Sequence, residues 1–185
     1  MTDLLDPDVR KDALISECGL YRYKLTRFWG PEHALPFVML NPSTADASVD
    51  DPTIRRCMGF ARREKAGGII VVNLYGLRAT EPAELHKIRD PFGPENRANI
   101  HALGKWAFFA GTPIVCAWGA HGWFKSANRD TVHLLKSTGA SLVCLGTTKA
   151  GEPKHPLYIK GDQPLVPFMS DGTALSRSPQ ENASE

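Results

Sequence analysis

The stretch GIIVVNLYG at 68–76 decides the fold class. Its apolar part, GIIVVN at 68–73, is continuous rather than alternating and is rich in Ile and Val, which suits a strand covered on both faces, as in a parallel sheet between helices. Three further runs read the same way: LPFVML at 35–40, PIVCAW at 113–118 and SLVCLG at 141–146. An earlier segment, LYRYKLTRFW at 20–29, alternates instead and suits a half-exposed edge strand or hairpin.

Helical stretches lie between these runs. Asp51-Pro52 opens one: Asp caps, Pro is tolerated at the first helical position, and Ile54, Cys57, Met58 and Ala61 share a face, with Gly67-Gly68 as the stop. Thr80 begins a short one (TEPAELHKI), Pro94 opens another with Ile100, Leu103 and Ala107 at helical spacing, and a fourth covers 124–138 before Gly139. Strands alternating with helices predict an α/β fold with a mostly parallel central sheet. Residues 1–13 are polar and expected to be loose, 14–169 form one domain, and the small polar tail 170–185 is expected to be disordered.

The C-terminal ends of the strands point to function. The first run leads into Asn41-Pro42-Ser43-Thr44, the second ends in Asn73, the third in Trp118-Gly119, and the fourth in Gly146-Thr147-Thr148-Lys149, with His155-Pro156 soon after. In a parallel sheet these polar, Gly-rich ends gather on one edge, where open α/β sheets bind ligands.

Composition narrows the setting. The chain has 185 residues, 42% hydrophobic and 23% charged, with a net charge of +2, which neither demands nor excludes nucleic acid. No apolar run approaches the roughly 20 residues that span a bilayer, so no membrane association is expected. Residues 1–11 carry three Asp and no apolar core, unlike a secretory signal. Cys18, Cys57, Cys116 and Cys144 form no C-x-x-C pair and read as reduced thiols, which suits a cytoplasmic location. The six histidines show no close ligand spacing, so neither a metal nor another cofactor is expected.

The set NPSTAD (41–46), DDPTIRR (50–56), VVNLYGLRAT (71–80), AWGAHG (117–122) and LGTTKAGEPKHPLY (145–158) resembles the bacterial and phage family known as domain of unknown function 1643, over about 18–167. More distantly, the order of motifs is similar to the uracil-DNA glycosylase superfamily. MLNPS at 39–43 resembles its first motif, the strand ending in Asn73 its second, IVCAWGAHG at 114–122 a later one, and HPLY at 155–158 half of its His-Pro-Ser motif. Met39 replaces a glycine and Leu157 a serine. LRATEP at 77–82 is similar to the iron–sulfur branch, but the cluster cysteines are absent, so no iron–sulfur cluster is expected. This resemblance implies a three-layer αβα fold and a pocket for a nucleobase.

Each residue carries two readings. Asn41 positions the attacking water, or makes an Asx-Pro turn. Asn73 reads the edge of a flipped pyrimidine through one donor and one acceptor, or bonds a neighbouring loop. His155 donates to the leaving base, or is an exposed loop residue. Tyr75 and Trp118, with Phe60 and Tyr158 behind them, are stacking aromatics or core. Ser43, Thr44, Arg78, Thr147, Lys149 and Lys154 contact phosphate or DNA, or are solvated loop residues. Leu157 is a wedge between bases, or core. The basic helix face of Arg55, Arg56, Arg62, Arg63 and Lys65 meets phosphate or solvent. Three functions are read from this set, in order: a base-excising DNA glycosylase, a nucleotide or modified-base binding protein or enzyme of DNA modification, and a metal-dependent nuclease or phosphohydrolase using Asp46, Asp50 and Asp51.

Overall fold

The computed structural model describes residues 9–43 and 49–169; Thr44, Asp46, most of the N-terminal segment and the tail expected to be disordered lie outside them. The described residues form strands β1 (Arg10–Ile15), β2 (Arg22–Phe28), β3 (Ala34–Met39), β4 (Gly68–Asn73), β5 (Ile114–Cys116), β6 (Leu142–Cys144) and β7 (Val166–Pro167). The helices are α1 (Pro52–Arg63), α2 (Asn96–Ala110) and α3 (Ala127–Ser137).

One sheet holds all seven strands in the order β1-β2-β4-β3-β5-β6-β7. The four apolar runs are its parallel centre, β4-β3-β5-β6. The pairings at both edges are antiparallel, so the sheet is mixed rather than mostly parallel. The cause is connection length. β1 and β2 are joined by a short turn at Gly19, whose φ of +72° suits glycine, and a short turn can only reverse the chain. β7 returns from β6 through a loop with only a 3-10 turn, Pro156–Tyr158, and no α-helix to carry it across the sheet.

β1 lies partly inside the segment expected to be loose. It is held by Lys11, which pairs with Asp50 at 2.9 Å, and by the Arg10 guanidinium, 5.1 Å over the Phe28 ring. Pro36 sits within β3 but beside the short β5, whose register on β3 covers only Phe37 and Val38, so the missing N–H interrupts none of those rungs.

Alternate residues of the central strands feed two cores. Leu35, Phe37 and Met39 pack with Ile54, Cys57, Phe60 and Ala61 of α1. Ala34 and Val38 pack with Ile100, Leu103 and Ala107 of α2 and with Val132 and Leu135 of α3. Helices thus cover both faces, which is why the runs are apolar throughout. Asp51 caps α1, its Oδ1 accepting from the Ile54 N–H at 2.8 Å, and Pro52 is the first helical residue. The segment after Thr80 is only a short 3-10 turn, Pro82–His86.

The chain leaves β3 through α1 to β4 on one side, then returns through α2 to β5 on the other. Between β3 and β5 the winding reverses, and a crevice opens at the strands' C-terminal ends.

Candidate functional site

A cleft of about 630 Å³ occupies this position. Its floor is Met39 and Asn73, the last residues of β3 and β4. One wall comes from Asn41, Ser43 and the start of α1, another from the turn after β5, and a third from Lys154 to Ile159. Its size is that of a small-molecule site.

Asn73 is 3% exposed and lines the cleft, yet its carboxamide makes no hydrogen bond to any described residue. Its amide is not among the sealed, unpartnered polar atoms of the core, so it stands open to the cleft, where a ligand with one donor and one acceptor matches it. Its backbone is fixed from behind: Asn96, the first residue of α2, donates Nδ2 to the carbonyls of Asn73 and Leu74, both at 3.0 Å.

Asn41 lines the cleft but its Nδ2 is committed, donating to the carbonyl of Ala79 at 2.8 Å and to that of Pro42 at 3.0 Å. Ala79 N–H returns a bond to the Pro42 carbonyl at 3.0 Å, so the turn after β3 is stitched to the segment after β4. Ser43 Oγ donates to Asp51 Oδ2 at 2.9 Å, and both residues face the cleft.

His155 lines the wall formed by residues 154–159. Its Nδ1 accepts from the Leu157 N–H at 3.4 Å, which leaves the ring proton on Nε2. Burial pushes the imidazole below its ordinary value, against the pull of Asp51, and so favours the neutral ring. Leu157 and Tyr158 stand beside it on the rim, both exposed.

The aromatics divide. Tyr75 lies outside the cleft, fully buried in the α2–α3 core, with its hydroxyl donating to the Phe124 carbonyl at 2.8 Å and its ring on Phe92 and Phe124. Phe60 packs in the other core. Trp118 borders the cleft, but its indole is 2% exposed, meets Phe168 edge-on and donates Nε1 to Glu152 at 2.6 Å. None of these three presents an open stacking face; Tyr158 is the exposed ring of the cleft.

The basic candidates divide as well. Lys154 lines the cleft, whereas Thr147, Lys149 and Arg78 lie outside it, and Thr148 turns inward instead. Arg78 donates to the Gly19 carbonyl at 3.0 Å. On α1, Arg56 donates to the carbonyls of Pro156 and Ile159, and Arg63 to those of Gly161 at 2.8 Å and Gln163 at 2.6 Å. Arg62 lies 4.8 Å over the Trp29 ring. These arginines brace the fold rather than forming an open phosphate face. Of the three acidic candidates Asp46 lies outside the described residues; Asp50 is bound by Arg27 at 2.6 Å and by Lys11, while Asp51 caps α1.

Three site residues went unread in the sequence. Arg22, 4% exposed, lines the cleft, and burial pushes its guanidinium down to about 10. Glu152, 7% exposed, accepts from Trp118 and from Asn128 Nδ2 at 2.6 Å, and burial raises its carboxyl above the usual range. Asn96 is the third. Arg22 was legible only as part of an alternating strand, and nothing near Glu152 or Asn96 in sequence signals their partners.

The chain belongs to the family described as protein of unknown function DUF1643, whose model matches residues 22–157. No curated protein and no solved structure matches it. No helix among the described residues is long and apolar enough to cross a membrane.

Proposed function

We propose, for this member of a family without an assigned activity, that the cleft receives a pyrimidine-type nucleobase and that the protein is a base-excising DNA glycosylase similar to the uracil-DNA glycosylase superfamily. The observation that carries the reading is Asn73: a residue only 3% exposed whose carboxamide, without a hydrogen bond to a described residue, opens onto the floor of the cleft. One donor and one acceptor on a rigid strand end complement the adjacent N–H and C=O of a uracil-like edge. The neutral His155, with its proton on Nε2, is suited to donate to a base carbonyl as negative charge develops there. The reducing, cytoplasmic setting read from the cysteines belongs to the same proposal, and Cys57, Cys116 and Cys144 are buried free thiols.

A second reading, recognition of a nucleotide or modified base without excision, is favoured by one feature: the Asn41 amide is committed to backbone carbonyls rather than held open for a water. The metal-dependent reading draws no such support, because Asp50 is neutralised by Arg27 and Lys11.

The deciding experiment is an excision assay on single- and double-stranded oligonucleotides carrying uracil, hypoxanthine, xanthine or 5-substituted pyrimidines, with EDTA present. Abasic product lost in Asn73→Ala is the expected result. No product with any base, but a melting temperature raised by free bases or nucleotides, selects the second reading. Activity that requires added Mg²⁺ overturns both.

A further inference from the structure

We propose that Asp51, rather than Asn41, is the general base of this cleft. The inference rests on the glycosylase reading and names the group that reading needs to activate water.

Excision requires a group that takes a proton from water. The Asn41 side chain cannot: an amide oxygen does not hold a proton near neutral pH, and the NH₂ is tied to the Pro42 and Ala79 carbonyls. Its place is that of a brace, joining the turn after β3 to the segment after β4.

Asp51 is the one carboxylate lining the cleft among the described residues. It sits half-buried at the N-terminus of α1, a rigid element, and its orientation is fixed at both oxygens. Oδ1 accepts from the Ile54 N–H at 2.8 Å and Oδ2 from Ser43 Oγ at 2.9 Å. A carboxylate has about four acceptor sites, so these two bonds leave room for a water on the cleft side. Its neighbour Asp50 is turned away to Arg27 and Lys11. The cationic and titratable imidazole groups that line the cleft with Asp51 are Arg22 from β2, His121 from the turn after β5, and Lys154 and His155 from the segment after β6, with Arg22 and His155 close enough to feel the Asp51 charge. The cleft therefore brings together a base, Asp51 at the start of α1, a donor, His155, and the Asn73 carboxamide at the floor.

The step balances with water alone. The water oxygen bonds to the sugar C1′ while one of its protons passes to the Asp51 carboxylate. The C1′–N bond breaks and its electron pair leaves with the base, whose carbonyl takes a hydrogen bond from His155 Nε2. The proton on Asp51 then returns to solvent or to the departed base.

The test is Asp51→Asn. Asn caps a helix about as well as Asp, so the fold is spared while the base is removed. The expected result is a melting temperature within about 2 °C of wild type, unchanged thermal shift with free base, and a single-turnover excision rate lowered by about 100-fold or more. Asp51→Ser, which also caps, should behave alike and guards against an effect peculiar to the amide. Asn41→Ala should lose less than about 10-fold. An Asp51→Asn protein that excises at the wild-type rate, or one that loses base binding together with the rate, overturns the proposal while the glycosylase reading stands. A wild-type protein that excises nothing overturns the excision reading and the role of Asp51 with it, a result told apart because it is seen in the unaltered chain.

Discussion

Asn96 holds Asn73 from behind: its Nδ2 bridges the Asn73 and Leu74 carbonyls at 3.0 Å each, so the first turn of α2 sets the backbone from which the Asn73 carboxamide enters the cleft. The two asparagines are both buried but do opposite work. Asn96 spends its donors on the protein; Asn73 makes no such bond to a described residue. Their alanine variants should therefore separate. Asn96→Ala leaves two carbonyls without that donor and should destabilise the fold by about 2 kcal/mol. Asn73→Ala removes no hydrogen bond to a described residue and should change stability by less than about 1 kcal/mol, while abolishing the thermal shift produced by free base. Urea unfolding of both proteins checks the contrast, and equal destabilisation would remove the special status of Asn73.

His155 makes stability and ligand binding depend on pH in a defined direction. Burial lowers its folded pKa below the ordinary 6.5. The unfolded chain then binds a proton first as pH falls, so the cost to stability grows from 6.5 down to the lower folded value, stays in full below it, and is absent above 6.5. His155→Gln should flatten that part of the profile. Base binding that needs the neutral ring should likewise persist somewhat below about pH 6.5 before it fails. Melting temperatures of both proteins across roughly pH 5 to 8 test this; identical profiles would show that His155 does not titrate differently on folding.

Glu152 acts in the opposite sense. Its folded pKa is raised by burial, against the lowering effect of its bonds from Trp118 and Asn128. The folded state holds the proton longer, so stability falls as pH rises from 4.5 through that raised value and is level beyond it. Glu152→Gln should lack this slope. It also sets an NH₂ against one of two N–H donors, so it should be less stable than wild type at neutral pH. Glu152→Ala strands both donors and should cost about 2 to 4 kcal/mol. The Gly119 N–H bonds the Pro153 carbonyl at 2.9 Å beside this contact, so either variant should also weaken base binding by loosening the wall that carries His155. Calorimetry of binding, with melting curves from roughly pH 4 to 8, reads both effects.

The parallel centre of the sheet was legible because both faces of each strand are covered, which leaves an unbroken apolar run such as 68–73. The edges were not. β1 opens on Arg-Lys-Asp and alternates between exposed and half-buried residues, and β7 has two exposed residues, so neither carries an apolar run to read. In the site, Asn41, Asn73 and His155 were legible because each ends a strand or opens a turn at the ligand edge, and all three line the cleft. Tyr75 was not separable from them: it lies two residues beyond Asn73, but on the other face of the sheet, and only packing on Phe92 and Phe124 reveals that. Glu152 and Asn128 lie 24 residues apart in the chain, and no local pattern encodes their bond.

Arg56 supplies the last prediction. It extends from α1 to the carbonyls of Pro156 and Ile159, a span of about 100 residues in sequence, and its guanidinium also lies 5.1 Å over the Phe60 ring. The helix that carries Asp51 at its N-terminus thus also holds the segment that carries His155, Arg56 nearest the histidine and Arg63 further along at Gly161 and Gln163. Lys could not replace Arg56, because a single ammonium lacks the planar fork that reaches both carbonyls. Arg56→Lys should therefore lower stability by about 1 kcal/mol and weaken base binding more than this loss implies, since the wall becomes mobile. Proteolysis should register the change as faster cleavage after Lys160 or within 155–163. Unchanged protection of that segment in Arg56→Lys would mean that the loop is held by its own turn and by Arg63, with Arg56 only packing on Phe60.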